Sequence, residues 1–136
     1  MTNSPLFYDV TVKAAVDAAG ALLNSGYLKI YSGGQPALDV AVSGTLLAAL
    51  TFGSTAFPAS VASAGTVTAT ANTITSGTAG NTGTAGYFAL VKSDNSTVVA
   101  TGSVGTSGCD LNLNSTSISS GATVSCSAFT ITEVQT

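Results

Sequence analysis

The chain is 136 residues long, enough for one ordinary domain that buries roughly two-thirds of its unfolded surface, and no second domain is required. It carries only Lys13, Lys29 and Lys92 against Asp9, Asp17, Asp39, Asp94, Asp110 and Glu133, with no Arg and no His, for a net charge of −3. A net charge of −3 without Arg gives no neutralising surface for phosphates, a chain without His has no histidine-based triad, and 45% hydrophobic residues rule out the composition of a disordered segment.

The opening Met1 to Asp9 has neither a basic n-region nor an apolar h-region, and no apolar run approaches the roughly 20 residues of a membrane span. The expectation is a product made in the cytoplasm, with no membrane and no nucleic acid among its partners. Residues 1–8, with Pro5, Leu6, Phe7 and Tyr8, are expected to form an N-terminal contact arm. From Asp9 to Leu23 the residues Val12, Ala15, Val16, Ala19, Leu22 and Leu23 recur at three- and four-residue intervals, which predicts a short amphipathic helix. Asn24-Ser25-Gly26 then tolerates the left-handed backbone that ends it.

Tyr27 to Ser32 alternates, with Leu28 and Ile30 on one face and Tyr27, Lys29 and Tyr31 on the other, as a half-buried strand does. Gly33-Gly34-Gln35-Pro36 must turn. The apolar run Thr45 to Phe52, bounded by Gly44 and Gly53, predicts a buried strand. Between Gly65 and Thr75, Thr and Ala alternate with Val67 and Ile74, which suits strands with a hydroxylated outer face.

Residues 76–86 lack any apolar pattern, and their glycines predict a mobile loop or contact arm, with Gly77, Gly80, Asn81 and Gly83 as candidate contact residues. Tyr87 to Lys92 and Thr97 to Thr101 flank Ser93-Asp94-Asn95-Ser96, the clearest β-hairpin in the chain. A further strand pair is expected from Asp110 to Asn114 and Ala122 to Thr132, turning at Ser119-Ser120-Gly121. Short strands, Gly- and Ser-rich turns and one helix at the start predict a mainly β fold: a single domain over 1–136, a β-sandwich or jelly roll with one short N-terminal helix.

No catalytic, cofactor-binding or metal-ligating set emerges. A Ser-Lys pair using Lys13, Lys29 or Lys92 sits in no recognisable motif, and Asp94-Asn95-Ser96 lacks the further carboxylates of a calcium loop. Cys109 and Cys126 fall in segments expected to pair, so a disulfide is conceivable if their side chains share a face. Cytoplasmic synthesis favours buried free thiols instead. A chain with 7% charged residues, against roughly 25% in a typical soluble domain, covers its surface by docking onto protein, so self-association is the favoured state.

The succession Leu28-Lys-Ile-Tyr-Ser-Gly-Gly-Gln-Pro-Ala37, Leu46-Leu-Ala-Ala-Leu50 and Gly83-Thr-Ala-Gly-Tyr-Phe-Ala-Leu-Val-Lys-Ser-Asp94, continued from Asp110 to Ser125 and Phe129-Thr-Ile131, resembles short virion structural proteins of tailed bacteriophages and prophages. Members resemble capsid decoration, or cement, proteins. The resemblance implies a non-enzymatic subunit, a dimer or trimer on the capsid surface of the virion, whose partner is the major capsid protein and whose task is to stabilise the mature head. The two cysteines depart from that pattern. A tail or head-fibre protein with a host-binding role is the alternative, and a small wall hydrolase is the remote one.

Overall fold

The computed structural model describes residues 8–134, and among them the chain is mainly β, as expected, with one helix. The elements are α1 (Asp9–Ala21), β1 (Tyr27–Ser32), β2 (Leu46–Thr51), β3 (Val61–Ser63), β4 (Thr66–Thr70), β5 (Gly77–Thr78), β6 (Gly83–Val91), β7 (Val98–Gly105), β8 (Leu111–Asn112), β9 (Ser117–Ile118), β10 (Thr123–Val124) and β11 (Thr130–Val134). The large sheet runs β2-β1-β6-β7-β8, with β9 added on β6. A three-stranded sheet runs β11-β4-β3, and β5 pairs with β10 as a two-stranded ribbon.

Helix α1 forms where the apolar periodicity predicts it, two residues shorter at its C-terminal end. Val16 is buried and Val12 half-buried against the core, Leu23 just past the end is fully buried, while Ala15 and Leu22 stay exposed. Gly20 has a packing reason: a Cβ there would lie 3.1 Å from the Cβ of Phe57. Ser25 takes the left-handed conformation at φ 56°, and its N–H donates to the Gly53 carbonyl at 2.8 Å.

One apolar cluster holds the layers together. Leu28, Ile30, Leu50 and Phe88 from the large sheet meet Val67 and Ala69 from β4 and Val16 from α1. Phe88 and Phe129 add an edge-to-face contact, with centroids 5.4 Å apart at 88°. Full burial of each large aliphatic residue contributes about 2 kcal/mol.

The other face of β1 differs from expectation. Tyr31 is buried, stacked on Tyr87 with centroids 5.2 Å apart at 8°, and Val42 packs against this second cluster. The connection over 33–45 folds across that face and is clamped there: the Tyr87 hydroxyl accepts from the Ser43 N–H at 3.0 Å and donates to the Ser43 carbonyl. A strand predicted to be half-buried is therefore covered on both sides near its end. Alternation along β1 could not reveal this, because the cover comes from a distant loop.

The 87–101 hairpin forms as predicted, with Val91 opposite Val98 and Asn95 at φ 62°. The Asp94 carboxylate accepts from the N–H groups of Ser96 and Thr97 and from the Thr97 hydroxyl, so the turn is self-capped. The strand pair expected from 110–114 and 122–132 does not form. β8 pairs in parallel with β7, β9 pairs with β6, β10 with β5 and β11 with β4. β9, β10 and β11 each find a long-range partner, while β8 folds back beside the strand that precedes it. The Thr-rich stretch behaves as predicted: Val67 and Ala69 of β4 are buried, while Thr66, Thr68 and Thr70 lie on the opposite face, across from Val134, Thr132 and Thr130 of β11.

Candidate functional site

The contact residues expected from the sequence separate into three groups. Pro5, Leu6 and Phe7 lie outside the described residues. Tyr8 precedes α1 in an extended conformation and is 80% exposed. Gly77, Gly80, Asn81 and Gly83 do not lie in a mobile loop, because the segment is drawn into β5 and the start of β6.

There they seal the outer edge of β2. A Cβ on Gly77 would stand 2.1 Å from the Ala49 carbonyl oxygen, so only glycine allows this approach. The Gly80 N–H donates to the Leu47 carbonyl at 3.0 Å and the Asn81 side-chain amide donates to the Leu46 carbonyl at 2.9 Å. Gly83 sits against the Leu47 side chain. Thr51 and Thr75 exchange N–H···O bonds of 3.1 and 2.9 Å and extend the seal. Glycine content signals a loop when backbone groups are free in solvent; here they pair with another strand.

Cys109 and Cys126 are free and half-buried, so no disulfide links them. Burial pushes the Cys126 thiol pKa up, and its Sγ lies 3.2 Å from the Ala128 carbonyl oxygen. The expected strand pair that would have brought them together is absent.

Ionised side chains serve local structure. Lys13 and Asp17 pair at 2.7 Å across one helical turn, and the Asp17 carboxylate also accepts the Ser60 N–H at 2.8 Å. The Lys13 ammonium, and then Ser60, hold the Asp17 carboxyl at about 2, below its ordinary 3.8. Hydrogen bonds from Thr97 and Ser96 hold Asp94 well below the usual carboxylate range. Burial raises the Tyr31 hydroxyl. Among the described residues no group of three or more Cys, Asp and Glu side chains converges as a metal site would require, and no helix is long and apolar enough to cross a membrane.

The surface features that sequence patterning missed are apolar. The connection between β1 and β2 projects Leu38, 91% exposed, and Val40 beside Val98, around a groove of about 370 Å³. Its roots are held by Tyr87 and by the Gln35 amide, which donates to the Thr101 hydroxyl at 3.1 Å. The alternation of Leu38, Val40 and Val42 with Ala37, Asp39 and Ala41 was the available signal. A second groove, of about 450 Å³, runs between Val12, Ala15 and Ala19 of α1 and Ile131 and Val134 of β11.

No protein-family model, curated protein or solved structure matches the chain.

Proposed function

We propose that the chain is a non-enzymatic structural subunit that acts by docking, of the capsid-decoration kind: it binds the outer surface of a bacteriophage major capsid lattice and stabilises the mature head. The observation that carries this reading is the pairing of a nearly uncharged chain with clamped, outward-facing apolar side chains, above all Leu38 and Val40. An exposed leucine held on a rigid connection loses little entropy when a partner covers it. A surface with few ionised groups docks without leaving charges desolvated and unpaired.

A cement protein works as a ligand of one state. It binds several capsid subunits in their expanded arrangement and not in the earlier one, so weak contacts add through avidity and the expanded lattice gains the binding free energy. The jelly-roll sandwich, the dimer or trimer and the place on the capsid surface belong to this same reading.

The test uses particles assembled from the genome that encodes the chain. The expected result is a high copy number in fixed ratio to the major capsid protein, and rupture at a lower temperature when the protein is omitted. Absence from the particles overturns the reading, and a few copies per particle replaces it with a fibre role.

A further inference from the structure

The two packed sheets are unequal: the small one has three strands and ends at β11, while the large one continues from β6 through β7 to β8. Ala100 of β7 stands opposite Leu90, which is buried in the core, so both belong to the core-facing side; yet Ala100 is exposed. A cleft of about 470 Å³ opens there, bordered by Leu90, Ala100 and Thr101 on one side and Ile131 and Glu133 on the other. It flanks β11 on the same side of the molecule as the groove beside α1, since Ile131 and Glu133 line both. Among the described residues β11 pairs with β4 alone, so one edge of its five residues offers free N–H and C=O groups.

Long open edges are normally blunted by Lys, Pro, a bulge or a covering segment. β11 has none of the first three, and its register with β4 is unbroken; its single guard is the charge of Glu133 on the core-facing side, which opposes an acidic or apolar neighbour but not a basic one. We infer that this flank is a docking site for one extended strand of a partner protein. The strand adds to β11 through main-chain hydrogen bonds and lays alternate apolar side chains over Leu90, Ala100 and Ile131, which share the core-facing side.

Charge selects the occupant further. Asp110 and Glu133 both line the cleft, and no lysine does. The incoming strand therefore carries a Lys or Arg among its cleft-facing positions. A second copy paired edge to edge through β11 fits poorly, because β11 carries no basic residue to meet Asp110 and Glu133 and would bring a second Glu133 instead. Residues 1–7 contain Pro5 and no basic side chain, so they lack the required chemistry. That the strand belongs to a neighbouring capsid subunit rests on the proposed function; the site itself does not.

A displayed library of random octapeptides, selected on the full chain, tests the inference. The expected outcome is enrichment of apolar residues at alternate positions with one Lys or Arg. The selected peptide should slow amide hydrogen exchange across 130–134, and its Lys-to-Glu version should bind about tenfold more weakly. The exposed substitution Glu133→Lys should reduce or reverse that preference while leaving the circular dichroism spectrum unchanged. Failure to enrich such sequences, or binding without protection of β11, overturns the inference. Protection of β11 without peptide overturns it too: in favour of a second copy if it fades on dilution, or of residues 1–7 if it is lost on their deletion. Peptide binding by a chain that is absent from particles would leave the site standing and remove only the capsid reading.

Discussion

The outer edges of β2 and β11 present the same chemical problem and are handled in opposite ways. At β2 the segment 75–81 supplies backbone partners to Leu47 and Thr51, a side-chain amide to Leu46 and a glycine packed on the Ala49 carbonyl. At β11 no described segment lies alongside, and Val134 is 60% exposed. An edge closed from within adds to the stability of the monomer; an edge left open keeps its hydrogen-bonding capacity for another chain. Stability and interaction are thus assigned to different ends of the fold.

Substitutions separate the two. Leu47 is fully buried under the sealed edge, and Leu47→Ala should destabilise the monomer by about 3 kcal/mol in urea denaturation, through lost burial and a cavity. Gly77→Ala should cost about 2 kcal/mol, because its Cβ would displace backbone at Ala49; a loss below a few tenths would mean that the seal is loose. Tyr87→Phe removes the clamp on Ser43 and should cost about 1 kcal/mol, with faster amide exchange over 37–43 as the more telling readout. At the open edge, Val134→Ala should change monomer stability by no more than about 0.5 kcal/mol; a larger loss would show that β11 is part of the monomer core and sink the contrast.

The smallest effect concerns pH. Because the Asp17 carboxyl is held at about 2 in the folded chain against 3.8 ordinarily, its contribution is fully present above about 4 and disappears as the pH falls toward 2. The stability difference between wild type and Asp17→Asn should accordingly be visible near neutral pH and be lost as the pH falls through about 2 in acid titrations followed by circular dichroism. A difference independent of pH would place the role of Asp17 in packing alone.

Several elements were legible in the chain itself, and for local reasons. The spacing of Val12, Val16 and Ala19 marks α1, the alternation around Leu28 and Ile30 marks β1, and Asp94-Asn95 between two apolar runs marks the β6–β7 hairpin. Each signal lies within a few residues of the structure it specifies. Of the candidate contact residues, Tyr8 is exposed, whereas Gly77, Gly80, Asn81 and Gly83 were legible only as glycine-rich chain, since a side chain pattern cannot report a backbone partner thirty residues away. Nothing in the residues around Leu38 and Val40 marks them as exposed; their position on a clamped connection leaves them in solvent.

Sequence by itself determined that this chain folds, that it folds chiefly as strands, and that it lacks the histidine and the charge density on which most chemistry and phosphate binding depend. Tertiary structure alone decided which strands meet. The two-residue strands β5, β8, β9 and β10 carry too little pattern to specify a partner, so their pairing is set by what the large sheet leaves open. The same pairing keeps Cys109 and Cys126 unlinked, turns a glycine-rich segment into the cover of one edge, and leaves β11 without a neighbour among the described residues at the other.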